Sequence, residues 1–194
     1  MKTKVAKTAV LLVVLIALYS FDVPKGWYKA GSSPEFYEIG IEKGAGIDGT
    51  NAATIKSVAN RVRGFGTLVQ NIQPGNYAGK RIRMSGYIKT DQVNGWAGFW
   101  LRIDQENSSV PLAFDNMSNR KIMGSTEWIK CEIIVDVPKK ANNIAYGALL
   151  SGSGQLWFDN LSFEVVDNKV VTTVPYRKDN LPHNEPTNLA FELE

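Results

Sequence analysis

The chain is predicted to be an all-β sandwich or jelly roll. Three observations lead there. Short apolar runs recur with turn residues between them, several alternate with period two, and no segment after residue 20 sustains a 3.6-residue apolar pattern. Seventeen glycines in 194 residues fit many turns better than long helices. The length suits one domain plus its ends. With 44% hydrophobic and 21% charged residues, the chain can bury a real core.

The elements follow in order. Phe36 to Ile41 reads as a strand ending at Gly44-Ala45-Gly46, and Ala53 to Val58 as another. Phe65 to Asn71 ends at Pro74-Gly75. Lys80 to Lys89 sets Ile82, Met84, Gly86 and Ile88 against Arg81, Arg83, Ser85, Tyr87 and Lys89. Asn94-Gly95 is read as a break before Trp96 to Asp104. Val110 to Phe114 and Trp128 to Val137 come next. Asn143 to Leu150 ends at Ser151-Gly152-Ser153-Gly154, Gln155 to Val166 is the last long strand, and Val170 to Val174 is a further candidate.

The most informative stretch is Gly95 to Asp104. Successive strand side chains face opposite sides, so Phe99, Leu101 and Ile103 form a core face. Trp100, Arg102 and Asp104 share the other. An indole beside a guanidinium can bind a ring-shaped polar ligand. Tyr87 falls on the polar face of its own strand, Gln70 on the outward phase of Phe65 to Asn71, and Asp115-Asn116 add acceptors and donors. The expected ligand site is therefore Tyr87, Trp100, Arg102, Gln70, Asp115 and Asn116, for a glycan or another small polar ligand. The competing reading is that a loop covers Tyr87 and Trp100 and that Arg102 only pairs with Asp104.

Charge limits the partners. Twenty-two Lys and Arg face 19 Asp and Glu. Three of the lysines, Lys2, Lys4 and Lys7, precede residue 20 with no acid among them, so the body is balanced. Nucleic acid, which calls for a basic face, is not an expected partner, and Lys80-Arg81-Arg83 reads as the wet side of a strand. The single cysteine, Cys131, is in phase with Ile129 and Ile133 and reads as a small buried hydrophobe. The one histidine, His183, lies near the carboxyl end, so triad and histidine–metal chemistry lack their central group, and no catalysis is expected.

The first twenty residues are a basic start followed by the apolar run Ala9 to Tyr19, the layout of a hydrophobic leader helix. It is either a cleaved signal peptide or an amino-terminal membrane anchor. Both place the body, residues 21–174, outside the cytosol, and the lack of paired cysteines fits a bacterial exported protein. Residues 175–194 read as a linker or tail, with a candidate extra strand at 188–192.

Two further stretches carry a family resemblance. Trp128-Ile129-Lys130-Cys131-Glu132-Ile133-Ile134-Val135-Asp136-Val137-Pro138 and Gln155-Leu156-Trp157-Phe158-Asp159-Asn160-Leu161-Ser162-Phe163 resemble the galactose-binding-like jelly rolls that serve as carbohydrate-binding modules in bacterial glycan-degrading proteins. Gly31 to Gly40 and Gly95 to Asp104 are also similar to uncharacterised bacterial modules, some attached to transcription regulators. The resemblance implies a jelly-roll β-sandwich, a non-catalytic function, and a concave sheet face that holds sugar. The alternative function is a structural or protein-interaction accessory domain, acting through a sheet face or by strand addition. The resemblance also implies a structural Ca²⁺, with Asp159 as the closing-strand ligand and either Asp22 or Glu192 as the opening-strand one. Resembling modules open on Asn-x-x-Phe-Glu, and here that pattern stands at Asn188 to Glu192. Three readings follow: Ser20 to Val23 form the first strand, the tail returns to fill it in its own molecule or in a strand-exchanged dimer, or Asn188 begins a second copy.

Overall fold

A computed structural model describes residues 21–174. The leader, the tail with its candidate strand at 188–192, His183 and Glu192 lie outside the described residues. Eight strands form: β1 (Tyr28–Gly31), β2 (Tyr37–Glu42), β3 (Ala52–Ser57), β4 (Phe65–Ile72), β5 (Lys80–Gln105), β6 (Ala113–Asp115), β7 (Ile122–Val137) and β8 (Ala141–Val166). Every paired neighbour is antiparallel.

β5 and β8 are each 26 residues long and run through both layers of a sandwich. In the first layer the order is β1, β4, the start of β8, the end of β5, and β6. In the second it is β2, β3, the end of β8, the start of β5, and β7. The hydrogen-bond network is thus one continuous sheet folded over on itself.

The fold line lies where the sequence suggests breaks. Asn94-Gly95 and Ser151 to Gly154 do not end strands; they bend β5 and β8 past each other, with Asn94 opposite Ser153 and Gly95 opposite Gly152. Gly95 has φ +130° and Gly152 φ +85°. A Cβ on either would run into the other strand, at the Ser151 carbonyl oxygen for Gly95 and the Asn94 carbonyl oxygen for Gly152. Only glycine lets two backbones cross this closely. Local turn chemistry is the same for a hairpin and for a corner, which is why the sequence reads as a stop.

Between the layers lies an apolar core. Ile39, Ile55, Ile82, Met84, Ile88, Ile133, Val135 and Leu156 enter it from the second layer, and Leu68, Phe99, Leu101, Ile103, Ile144 and Leu150 from the first, all fully buried. Cys131 is buried too, and burial pushes its thiol up to about 11. Tyr37 ties the layers together, donating from its hydroxyl to the Gly152 carbonyl at 2.7 Å and to that of Gly64 at 3.3 Å.

Other expectations shift. β1 was not foreseen, because Tyr28 to Gly31 is short and half polar. β6 is only three residues. Val170 to Val174 is not a strand; it touches β7 through Thr173, whose N–H donates to the Ile134 carbonyl at 2.9 Å. At the amino-terminal end one bridge, Asp22 to Ile41, lies beside β2.

Candidate functional site

The outer face of the first layer is hollow. On β5 the inward side chains are Ala97, Phe99, Leu101 and Ile103, so Trp96, Trp100 and Arg102 point the other way. Thr67 and Val69 of β4 and Leu149 and Ser151 of β8 form the floor. Tyr28 of β1 and Phe114 of β6 stand on the two edges, and Phe65 and Asn116 complete the lining. The groove encloses ≈ 560 Å³. Its aromatic walls are accessible: Tyr28 is 45% exposed, Phe114 43% and Phe65 36%.

Hydrogen bonds fix this lining. The Trp100 indole Nε1 donates to Thr67 Oγ1 at 2.8 Å, and that hydroxyl donates to the Ala148 carbonyl at 2.7 Å. The indole edge is therefore engaged within the sheet. Arg102 Nε donates to Asp104 Oδ1 at 2.6 Å and Nη2 to the Ser109 carbonyl at 3.1 Å, while Asp104 Oδ2 accepts from Asn143 Nδ2 at 3.1 Å. Asn71 Nδ2 donates to the Tyr28 hydroxyl at 2.9 Å. Lys121 Nζ stands 5.7 Å from the Trp96 ring centre. Aromatic plates over an apolar floor with a few oriented polar groups make a surface for a flat, amphipathic ligand.

Of the residues singled out from the sequence, the structure brings Trp100, Arg102 and Asn116 together here. Among the described residues no loop covers Trp100, and Arg102 both pairs with Asp104 and lines the groove. Three others lie elsewhere. Tyr87 is on the starting half of β5, opposite Lys130 and Asp159, on the outer face of the second layer. The strand crosses between layers after it, so shared polarity does not mean a shared face. Gln70 points inward with Leu68, accepting from the Tyr146 hydroxyl and donating to the Gly26 carbonyl at 3.3 Å. β4 is apolar on both faces, which hid its phase. Asp115 is 2% exposed. Its oxygens accept from both Arg120 Nη atoms, from Thr173 Oγ1 and from the Met117 N–H, so none is left for a ligand. Among the lining aromatics, Tyr28, Phe65, Trp96 and Phe114 were not in the expected site. The signal was available for Phe65, which shares the phase of Thr67 and Val69.

The described residues do not assemble a calcium cage. Asp159 Oδ2 accepts from the Ile47 N–H at 3.1 Å and Thr50 Oγ1 at 3.3 Å, and Oδ1 from the Asn160 N–H at 2.7 Å. This carboxylate pins the loop around residue 47, with donors where a cation would stand. Asp22 pairs with Ile41, Ile41 with Ala53, and Ala53 with Phe158. Three strand spacings are about 14 Å between backbones, whereas two oxygens on one Ca²⁺ stand at most about 5 Å apart.

Over 171 residues the chain is 40% identical to an uncharacterized HTH-type transcriptional regulator, YbfP, of Bacillus subtilis strain 168, covering 88% of this chain and 57% of that protein. The chain thus spans little more than half the length of this curated relative. No protein-family profile matches it. Among solved structures, the enzymatically active domain of tailspike protein 4 from bacteriophage CBA120 superposes with a TM-score of 0.56 at 9% identity, over 73% of this chain and 20% of that one. The CBM22-1 xylan-binding domain of Paenibacillus barcinonensis Xyn10C gives 0.54 at 14% identity, over 76% and 90%. The fold is the jelly-roll β-sandwich seen in solved xylan-binding domains. At these identities the likeness is one of fold.

Proposed function

We propose that the chain is a non-catalytic carbohydrate-binding module whose site is the groove on the first layer. The observation that carries this reading is the set of accessible aromatic rings, Trp96, Trp100, Tyr28, Phe65 and Phe114, around a floor of Thr67, Val69 and Leu149. A pyranose offers a flat C–H face to such rings, and stacking supplies affinity. The xylan-binding domain named above shares this architecture, which supports a polysaccharide ligand. The leader supports export, with the body held outside the cytosol either free or anchored. The described residues contain no helix longer than three residues and so no helix-turn-helix. Kinship with a regulator favours a second use of the same groove, in detecting a glycan for a signalling partner.

Glycan-array binding followed by calorimetry tests the reading. Trp100→Ala is expected to weaken binding by about 30-fold, the effect of deleting a central aromatic. Trp27→Phe, a change where Trp27 packs on Tyr146 and Phe158, is expected to leave it intact. A folded wild-type chain that binds no glycan, or a Trp100→Ala chain that binds undiminished, removes the proposal.

A further inference from the structure

We propose that the groove selects an acidic glycan, one whose rings carry carboxylates, with the carboxylate held between Arg102 and Asn116; this rests on the carbohydrate reading above and narrows it.

The argument is a count of donors and acceptors. A neutral sugar hydroxyl both donates and accepts, so sites for neutral sugars offer both kinds of partner. This groove has few acceptors to offer. Asp104 lies beside Arg102 but does not line the groove, and each of its oxygens already accepts one bond, from Arg102 Nε and from Asn143 Nδ2. Asn116 Oδ1 accepts from the Ser118 N–H at 3.1 Å, which leaves the side-chain amide N–H groups for the groove. That contact also fixes which way the amide is turned, because a backbone N–H requires the oxygen. Thr67 Oγ1 accepts from Trp100 and donates to Ala148. The Tyr28 hydroxyl accepts from Asn71, which leaves its proton to donate. Ser151 Oγ, which donates to the Gly64 carbonyl at 3.4 Å, is the one lining side-chain oxygen among the described residues that accepts no hydrogen bond.

Donors are in surplus. Among the described residues nothing accepts from Arg102 Nη1, and the Nε–Asp104 bond holds the guanidinium plane. Arg102 sits opposite Phe114 in the β5–β6 pairing, and Asn116 follows two residues later. Among the described residues Arg102 is the only charged one lining the groove, and the cation of Lys121 lies just past Trp96. A group that only accepts, and that carries negative charge, is the complement of this arrangement. A ring carboxylate meets it with charge-assisted bonds, and the neighbouring aromatics hold the sugar ring.

The test uses the full chain on uronate oligomers (galacturonate, glucuronate and mannuronate types) and on the same oligomers with their carboxylates reduced to alcohols. The acidic member of a pair is expected to bind about tenfold tighter. Arg102→Gln should erase that preference while retaining binding of the reduced member. Asn116→Asp, which keeps the acceptor for Ser118 but turns the amide into an anion, should lower acidic binding further. Equal binding of acidic and reduced members by the wild type overturns the acidic selection and leaves the carbohydrate reading standing. Binding of neither member, with neutral glycans also failing, overturns both.

Discussion

The two outer faces of the sandwich are built from the same two long strands and are used oppositely. On the second layer Arg83 lies between Glu132 and Glu164, at 3.5 and 2.7 Å. Arg81 pairs with Asp136 at 2.8 Å, and Ser85 with Ser162 at 3.0 Å. Trp157 Nε1 donates to Glu42 at 2.7 Å, with Lys89 5.7 Å from its ring. Polar groups there meet one another across strands. On the first layer the rings of Tyr28, Phe65, Trp96 and Phe114 stand around a hollow, and the polar atoms in reach are mostly donors. A face whose polar groups largely meet one another, with only the buried Arg83 Nε left over among the described residues, stabilises a sheet. A face that leaves rings and donors unmatched is the one that offers them to a ligand.

That contrast depends on the corner where β5 and β8 change layers, and the largest expected effect is found there. Gly95→Ala puts a methyl onto the Ser151 carbonyl at φ +130°. It is expected to cost about 3 kcal/mol, read as a lower urea midpoint. Because the corner sets the groove floor at Ser151, ligand affinity should fall in the fraction that stays folded. An alanine variant as stable as wild type would mean the two strands are not held in this crossing.

The faces can be compared directly by mutation. Tyr87→Ala on the second layer should leave glycan affinity within about twofold, against the roughly 30-fold loss expected of Trp100→Ala. Comparable losses would place the ligand outside the groove or across both faces.

Much of this was legible in the sequence. Alternation gave the inward set Phe99, Leu101 and Ile103 and the outward pair Trp100 and Arg102, because the period of a strand is a local property. What alternation lacks is the identity of the layer. Tyr87 and Trp100 both face solvent, but a register shift between Asp91 and Asn94 and the corner after it separate them. Gln70 misled for a different reason: Leu68 faces the core and Val69 the groove floor, both buried, so polarity does not mark the phase. Asp115 carries the same residue type as a ligand-binding acid. Only its neighbours in space, Arg120 and Thr173, show that it is a structural ion-pair centre.

Asp159 offers a smaller test on the second layer. Asp159→Asn keeps an acceptor but weakens the hold on the Ile47 N–H and Thr50. About 1 kcal/mol of stability should be lost. A chelator should leave the melting temperature of the wild type unchanged. A fall with EDTA, restored by Ca²⁺, would show that the chain assembles a metal site from residues beyond those described.

The last test concerns the tie between the layers, and it is read through pH. Burial pushes the Tyr37 hydroxyl up to about 12 from its ordinary 10.0, and the Cys131 thiol up to about 11 from 9.0. Both groups are neutral when protonated, and the folded chain holds each proton more firmly than the unfolded chain does. Below pH 9 both states are protonated and the full stability is present. Above that, the unfolded chain ionises first and draws the equilibrium toward itself. Stability is thus expected to decline from about pH 9 to about pH 12, the lower part through Cys131 and the upper part through Tyr37 together with Tyr146, whose hydroxyl burial also pushes up. Tyr37→Phe should flatten the decline above pH 10, and lose about 1 kcal/mol at neutral pH with the bond to Gly152. Urea midpoints measured across this range give the profile. An unaltered slope above pH 10 in Tyr37→Phe would show that the hydroxyl is not buried between the layers.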